Sequence, residues 1–327
     1  MRLDTAGVLH FGECELSLDC ARTRDCFVSH AHSDHISALR YKNKRILASD
    51  ETLALAGRGK EIERLELDGG IEFELLESGH ILGSKQLLVR ENGTSFVYTG
   101  DFRLRAGLTT KEAEVRECDI LLIEGTYGTP DSVFPAREEI YESIAGWVKI
   151  NIERGRVVLL GGYSTGKAQE LIKLLNERCG LAPLVHSRIH EICSVYDSFG
   201  VHLECVPLDS DEARELMGKS FAAVMPHHTV SAEMAANLGE IYGKKVVCAL
   251  ATGWANSRAY SVDKVFPLSD HADFKQILEY VERASPKRIF CCHGNEEALA
   301  RELRKRGYEA RAMEEAHAQL TLDGFDK

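Results

Sequence analysis

A short segment near the amino terminus concentrates polar side chains in a way that restricts how this chain can fold. Residues 29–35 read SHAHSDH and directly follow the apolar run 26–28 (CFV), which is typical of the end of a buried strand. Burying each of these imidazoles and carboxylates unpaired would cost on the order of a few kcal/mol, so packing does not explain them. Imidazole nitrogens and carboxylate oxygens are ligands that zinc and similar metals bind. The spacing His-x-His-x-Asp-His therefore predicts a metal site at the end of a strand.

Size and composition are those of a globular protein. The 327 residues allow one large or two ordinary domains, and 44% of them are hydrophobic while 28% are charged. The first residues lack the apolar segment of a signal peptide, and no apolar run reaches membrane-spanning length. We therefore expect a cytoplasmic protein with no membrane partner. The ten cysteines form no Cys-x-x-Cys pair, which favours reduced thiols.

The net charge of −11 bears on the kind of partner. A protein that holds nucleic acid by its overall charge is usually basic, so the composition weighs against nucleic acid. A bound divalent cation can nevertheless be the largest charge in a site and reverse its local sign. The charge lowers the expectation of a nucleic-acid partner without excluding it.

The residue pattern changes along the chain. In the first third, residues 71–75 alternate as a half-buried strand, and the runs 86–89 and 95–98 flank Asn92-Gly93, a strong hairpin signal. From about residue 137, helical and apolar strand-like segments alternate, which indicates an α/β unit with parallel strands. The expected helices are 138–154, 166–178, 188–199, 274–284 and 296–306, and the expected strands are 156–160, 245–250 and 288–292.

Three further candidate ligands lie where strand-like runs end. His80 lies in a loop between two such runs, Asp101 follows the second hairpin strand, and His293 follows the apolar run ending at Cys292. Chain turns at the ends of strands commonly carry functional groups. A glycine stands beside each of the three and would let the backbone approach closely.

The order of these motifs resembles the metallo-β-lactamase superfamily, and further motifs resemble its β-CASP nuclease family. Asp19 matches the early buried aspartate of the superfamily. The segments 124–128 (EGTYG, with Gly125 in place of the usual serine), 269–273 (SDHAD) and 292–294 (CHG) are similar to the three β-CASP motifs, and 166–171 (GKAQEL) is similar to a helix start in the inserted domain. The resemblance spans residues 19–294 and includes members like mRNA 3′-end processing factors and ligase-associated exonucleases.

This resemblance implies a fold and an activity. The fold would be α/β: a metallo-β-lactamase αββα sandwich made of residues 1–129 and 263–327, with a β-CASP α/β domain inserted as residues 130–262. The activity would be metal-dependent hydrolysis of phosphodiester bonds in RNA or single-stranded DNA. It would be 5′→3′ exonucleolytic, endonucleolytic or both.

The resemblance also implies a site with two divalent metal ions. Zinc is the expected metal and manganese the alternative. His30, His32 and His80 would hold one ion, Asp34, His35 and His293 the other, and Asp101 would bridge them. Two such ions can share a hydroxide and bind the phosphodiester oxygens. His271 would act as general acid and Glu124 would orient its ring. Asp34 would be a third catalytic residue. Asp19 would fix the ligand loop from behind.

The substrate and the function class are left with alternatives. A histidine at position 293 accompanies RNA-processing relatives and some bacterial and archaeal exonucleases, whereas the short length and the step 252–254 (TGW) resemble ligase-associated DNA exonucleases. Two other functions are an inactive β-CASP scaffold that binds RNA, and a small-molecule hydrolase such as a thioesterase or lactonase. The latter enzymes lack the motifs of Glu124 and His271. The oligomeric state is not predicted.

Several other motifs receive a structural interpretation. Residues 161–168 (GGYSTGKA) approach a phosphate-binding loop, but Ala168 replaces the hydroxyl that would bind magnesium, so an ATP site is not expected. The helix start could still receive a phosphate beside Lys167; otherwise this lysine would be solvated. His227 and His228 are expected to be surface or structural histidines, and Trp254 a core residue.

Overall fold

The structure, a computed structural model, describes residues 1–4, 6–57, 63–64 and 71–313. Its strands are β1 (Arg2–Leu3), β2 (Val8–Phe11), β3 (Cys14–Leu18), β4 (Asp25–Phe27), β5 (Arg45–Leu47), β6 (Glu63–Arg64), β7 (Glu72–Glu77), β8 (Lys85–Glu91), β9 (Thr94–Tyr98), β10 (Ile120–Gly125), β11 (Val157–Gly162), β12 (Leu184–Val185), β13 (Val206–Pro207), β14 (Ala222–Pro226), β15 (Val246–Ala251), β16 (Lys264–Phe266), β17 (Arg288–Gly294) and β18 (Ala310–Ala312). Its α helices are α1 (Asp50–Leu55), α2 (Arg137–Glu153), α3 (Lys167–Leu174), α4 (Ser187–Ser198), α5 (Asp211–Met217), α6 (Ala232–Tyr242), α7 (Phe274–Ala284) and α8 (Glu296–Lys305).

The chain divides into two compact units. The first unit comprises Met1–Ala106, Thr110–Val133 and His271–Lys327, and the second comprises Gly107–Thr109 and Phe134–Asp270. Strand β16 pairs in parallel with β15 and so lies in the sheet of the second unit, although the expected domain division assigns residues 263–327 to the sandwich. The division into domains 1–129 with 263–327 and 130–262 stays a prediction.

Two mixed sheets make up the centre of the first unit. The first sheet has the order β1-β2-β3-β4-β5-β6, and the second has the order β18-β17-β10-β9-β8-β7. The predicted hairpin is present: β8 and β9 pair antiparallel around Asn92 and Gly93, which both have positive φ, as a tight hairpin turn requires. Strand β10 then pairs in parallel with β9 on one side and β17 on the other.

Apolar side chains from alternate positions of the strands form three layers of core. Between the two sheets, Leu16 and Phe27 of the first sheet share a buried cluster with Phe96 and Leu122 of the second. Neighbouring strand residues point to the opposite face of the second sheet, where Val97, Leu121 and Ile123 are buried against α7 and α8. On the outer face of the first sheet, Cys26 and Ile46 are buried with Leu53 of α1. The expected αββα sandwich is confirmed.

The second unit contains a parallel sheet of order β13-β12-β14-β11-β15-β16. Its central strands β11, β14 and β15 are buried along their whole length, as the apolar runs predict. Side chains of α5 and α6 cover one face of this sheet. The expected α/β architecture of the inserted segment is confirmed.

The structure also bears on the cysteines and on membrane-spanning segments. All ten cysteines carry free thiols. Within the ranges that the structure describes, no helix has the length and apolarity needed to cross a membrane.

Candidate metal centre and catalytic site

The predicted ligands lie at the ends of strands in the first unit. His30, His32, Asp34 and His35 belong to the turn that follows β4, His80 to the turn between β7 and β8, and Asp101 to the segment after β9. His293 is the penultimate residue of β17. Because these strands end on the same side of adjacent or facing sheets, residues far apart in the sequence meet there.

Three imidazoles and one carboxylate form the first group. One ring nitrogen each of His30, His32 and His80 and one carboxylate oxygen of Asp101 all lie within 4.8 Å of one another. His32 Nδ1 is 3.1 Å from His30 Nε2 and 3.0 Å from His80 Nε2. The structure thus brings together the residues predicted for one ion, with Asp101 beside them.

Asp101 also faces the second predicted group. Its Oδ2 lies 3.4 Å from His30 Nε2, 3.7 Å from His80 Nε2 and 3.6 Å from His35 Nε2. His35 Nε2 is in turn 3.7 Å from Asp34 Oδ2, and the rings of His35 and His293 are 5.1 Å apart. One oxygen of Asp101 therefore lies between the two predicted ligand sets.

The carboxylate of Asp19 makes four close contacts that stabilise the turn of residues 29–35. Its carboxylate accepts hydrogen bonds from the backbone N–H and the hydroxyl of Ser29, both at 2.6 Å, and from the hydroxyl of Tyr98 at 2.8 Å. It also lies 2.8 Å from His35 Nδ1. Burial alone would raise the pKa of Asp19, but His35 and Ser29 outweigh it and lower this pKa.

The two buried histidines of the turn differ in protonation. Burial, followed by the nearby imidazoles, holds the pKa of His30 well below its usual value, so this ring stays neutral and can bind a metal. Burial would also lower the pKa of His35, but Asp19, Asp101 and Asp34 together raise it to about 10. A cation bound at His35 would therefore have to displace a proton from this ring.

A buried carboxylate orients the predicted general acid. Glu124 is 0% exposed, and its Oε1 and Oε2 lie 3.0 and 3.2 Å from His271 Nδ1. The same carboxylate accepts from the backbone N–H groups of Phe102 and Thr126. Burial would raise the pKa of Glu124, but His271 lowers it, so the carboxylate is charged. The ring of His271 is 4.5 Å from that of His80, which places it beside the first ligand group.

Close backbone approach explains the glycines beside two of the ligands. Gly79 has φ +77°, and a Cβ there would lie 2.4 Å from the carbonyl oxygen of Arg103. Gly100 has φ +52°, and a Cβ there would lie 2.7 Å from the Cβ of Ser29. Both positions therefore need a residue without a side chain.

The donor set fits a divalent metal ion. Metal–nitrogen and metal–oxygen bonds to zinc are about 2.0–2.2 Å long, so ligands on opposite sides of one ion are about 4 Å apart. The 4.8 Å limit on the group of His30, His32, His80 and Asp101 is of this size. Convergent imidazole nitrogens beside a buried carboxylate are also the chemistry that such ions bind. The clustered donors therefore support binding of a divalent metal by this protein.

Two residues that sequence reasoning did not identify take part in the site. The hydroxyl of Ser29 lies 2.9 Å from His30 Nδ1, and the Tyr98 hydroxyl lies 3.3 Å from His293 Nε2. Ser29 had a signal, since it directly precedes the histidine motif. Tyr98 had none, because its role depends on which face of β9 meets the first sheet.

The other motifs take structural positions in the second unit. Lys167 is only 2% exposed and its Nζ lies 2.8 Å from Asp270 Oδ1, so it is neither solvated nor placed as in a phosphate-binding loop. Trp254 is half-buried instead of lying in the core, so that prediction is wrong; the guanidinium of Arg258 covers its ring at 5.3 Å from the ring centroid. His227 is half-buried and His228 is exposed.

Comparison with known proteins finds a matching family and several relatives. Residues 260–313 match the family described as the Zn-dependent metallo-hydrolase RNA specificity domain. A probable DNA ligase of Opitutus terrae is 34% identical over 315 residues, which are 90% of this chain and 29% of that protein. An RNase J-like protein of Methanocaldococcus jannaschii is 30% identical over 178 residues, which are 46% of this chain and 42% of that protein. The chain thus spans less than half the length of either relative.

A solved structure shows the same fold. The crystal structure of a protein of unknown function from Enterococcus faecalis V583 superposes with a TM-score of 0.59 at 16% sequence identity, covering 89% of this chain and 80% of that one. The motifs, the sandwich, the parallel sheet of the second unit and these relatives together confirm the resemblance of this chain to the β-CASP nuclease family of the metallo-β-lactamase superfamily.

Proposed function

We propose that this protein is a metal-dependent nuclease that hydrolyses phosphodiester bonds in RNA or single-stranded DNA. The observation that supports it best is the buried pair of Glu124 and His271 beside the metal ligands. Phosphodiester cleavage needs a proton for the leaving oxygen, and a positioned imidazole can supply one. By the resemblance described above, a small-molecule hydrolase of the same superfamily would lack this pair.

The metal part of the proposal assigns seven ligands. His30, His32 and His80 would hold one ion, Asp34, His35 and His293 would hold the second, and Asp101, whose Oδ2 faces both sets, would serve the two ions. Zinc is the expected metal and manganese the alternative. When bound, such ions lower the pKa of water and offset negative charge on phosphate oxygens.

Side chains of this protein donate the proton to the leaving group and position the reacting groups. Glu124 accepts a hydrogen bond from Nδ1–H of His271, which fixes the orientation of the ring. Nε2 of the same ring is then the atom that donates a proton to the leaving oxygen. The protonated imidazole is the form that can donate. Asp34, whose side chain is largely exposed, is the assigned ligand most open to incoming substrate. Asp19 keeps the turn 29–35 in place.

Sequence coverage favours DNA over RNA as the substrate. The relative that aligns with 90% of this chain is a probable DNA ligase, whereas the RNase J-like relative aligns with 46%. The matched RNA specificity domain, residues 260–313, supports RNA instead. Both polymers therefore belong in the test.

The experiment follows release of product from 5′-labelled single-stranded RNA and DNA by the zinc- or manganese-loaded protein. We expect wild type to cleave at least one polymer and His271→Ala to lose roughly 100-fold or more in rate. The size of the labelled products also distinguishes exonuclease from endonuclease action.

A matched control is His10→Ala. His10 lies on β2, pairs with Asp4 and is not one of the assigned ligands, so its loss should leave the cleavage rate unchanged. Absence of cleavage of both polymers by the metal-loaded wild type would contradict the proposal. So would a His271→Ala variant that cleaves at the wild-type rate.

A further inference from the structure

The carboxyl edge of the sheet in the second unit has the topology of a ligand-binding edge. Strands β11 and β15 are parallel neighbours. After β11 the chain continues to β12 on one side of β11, and after β15 it continues to β16 on the other side. Where the connections from two neighbouring parallel strands run to opposite sides in this way, α/β proteins commonly bind ligands at the carboxyl ends of those strands.

Aromatic rings from three connections meet at this edge. Tyr163 directly follows β11, His227 directly follows β14, and Tyr260 lies in the connection after β15. The rings of Tyr163 and His227 are stacked, with centroids 5.5 Å apart and planes 10° apart. The ring of Tyr260 meets His227 edge-on, with centroids 6.1 Å apart. We call these three rings the aromatic platform.

The platform is anchored on one side and exposed on the other. Tyr260 packs against the apolar core of the sheet, which supports His227. Tyr163 remains 53% exposed and is one of only five large hydrophobic residues exposed among the described residues. An aromatic ring that is stacked on a second ring yet half exposed does little to bury apolar surface. It does offer a preformed flat surface to another ring.

A positive charge accompanies the rings. Arg258 is exposed in the connection after β15, beside Trp254. Arg258 stands two residues before Tyr260 in this connection, which places its guanidinium on the same segment as one ring of the platform. In a chain of net charge −11, such a local cation favours an anionic ligand at this place.

We propose that the aromatic platform of Tyr163, His227 and Tyr260 stacks a nucleobase of single-stranded nucleic acid, and that Arg258 contacts the adjoining phosphate. Every base has a π face, so aromatic platforms beside a cation bind single strands with little dependence on sequence. The inference rests on the proposed nuclease function and adds to it a substrate contact in the second unit.

The test measures binding of the metal-loaded full chain to short phosphorothioate single strands, which are cleaved slowly. One series is oligo(dT) and the other oligo(U), each with a single 2-aminopurine whose fluorescence is quenched on stacking. We expect Tyr163→Ala to bind roughly 10-fold more weakly and to lose the quenching. Tyr163→Phe keeps the ring and should retain both. The two series show whether DNA, RNA or both use the platform.

Tyr41→Ala is the matched control, because Tyr41 is a tyrosine of similar exposure, 56%, in the first unit. It should bind as wild type does. Arg258→Gln should weaken binding and reduce the dependence of affinity on salt by about one phosphate contact.

The outcomes separate this inference from the proposed function. If wild type cleaves ordinary strands but Tyr163→Ala binds and quenches as wild type does, the platform is wrong and the nuclease assignment stands. Equal weakening by Tyr163→Phe and Tyr163→Ala would also overturn stacking, since the hydroxyl alone would then matter. If wild type neither cleaves nor binds either strand, the proposed function fails and the platform with it.

Discussion

At the scale of single residues, the metal centre depends on which nitrogen of each imidazole faces the other donors. The hydroxyl of Ser29 contacts Nδ1 of His30, and the carboxylate of Asp19 contacts Nδ1 of His35. Both contacts leave Nε2 of these rings facing Asp101. Such outer contacts fix the orientation of a ligand and increase its basicity.

Loss of the Asp19 carboxylate should therefore weaken metal binding. We expect Asp19→Asn to lower metal affinity by roughly 10- to 100-fold, because the amide has one acceptor oxygen fewer for Ser29, Tyr98 and His35. Competition with a chromophoric chelator measures the affinity, and far-UV circular dichroism monitors the fold.

Asp4→Asn is the control for this change. Asp4 also accepts hydrogen bonds from backbone N–H groups and pairs with a histidine, His10, but it lies outside the metal centre. It should leave metal affinity unchanged. Equal affinities for Asp19→Asn and wild type would show that Asp19 does not support the ligands.

The ligand candidates could be chosen from the sequence because their side-chain chemistry has few other uses at such spacing. His30, His32 and His35 belong to one motif, and His80 and Asp101 each stand beside a glycine at a strand end. Tyr98 could not be chosen, because its contact with Asp19 joins strands of two different sheets and leaves no local signal.

At the scale of elements, turn residues and helical periodicity predicted individual hairpins and helices, but they did not predict how distant strands pair. The hairpin of β8 and β9 follows from Asn92 and Gly93, and the helix periods of α2, α4, α7 and α8 agree with their observed bounds to within one or two residues. The pairing of β10 with β17 joins distant parts of the chain. Parallel pairing of this kind carries no turn signal, so its register could not be predicted.

Asp119 joins three strands of the second sheet at one end. Its carboxylate accepts from the backbone N–H and hydroxyl of Ser95 at the start of β9, and it lies 2.7 Å from Nζ of Lys287, just before β17. Lys287 and then Ser95 lower the pKa of Asp119 from 3.8 to about 2. The stabilisation is therefore complete above about pH 4 and is lost as the pH falls towards 2.

Asp119→Asn should accordingly change how stability depends on pH. We expect the variant to unfold at a lower urea concentration than wild type at pH 7, and the difference to shrink between pH 4 and pH 2. Urea titrations at a series of pH values measure the difference.

Glu117→Gln provides the comparison, because Glu117 is an exposed carboxylate on the same segment. Its pH profile should follow that of wild type. A difference between Asp119→Asn and wild type that does not depend on pH would contradict the assigned role of the charge.

At the scale of the whole molecule, a buried charge network holds separate stretches of the second unit together. Glu170 pairs with Arg137 at 2.6 Å and accepts from Tyr141 and from the backbone N–H groups of Leu108 and Thr109. Arg137 also donates to the carbonyl oxygen of Ser269. Burial would lower the pKa of Arg137, but Glu170, Tyr141 and Asp270 raise it, so the guanidinium is charged.

Neutralising Glu170 should destabilise the second unit strongly. Glu170→Gln leaves Arg137 buried without its main counter-charge, and we expect the free energy of unfolding to fall by about 3 kcal/mol. Both tryptophans of the chain, Trp147 and Trp254, lie in this unit, so their fluorescence during urea unfolding reports on it.

Glu191→Gln serves as the comparison in the same unit. Glu191 pairs with Arg188 on the exposed face of α4, and the change should alter the free energy of unfolding by less than about 0.5 kcal/mol. Similar losses for the two variants would show that burial of the network adds nothing.

The short stretch Gly107–Thr109 has a consequence for how this protein can be divided. It belongs to the second unit although the chain on both sides of it belongs to the first. Thr109 gives Glu170 two hydrogen bonds and Leu108 a third. A fragment of residues 134–270 would lack Leu108 and Thr109, so the buried carboxylate of Glu170 would lose three of its hydrogen bonds. The inserted segment is therefore not a detachable module, and gene fusions or domain exchanges must carry residues 107–109 along with it.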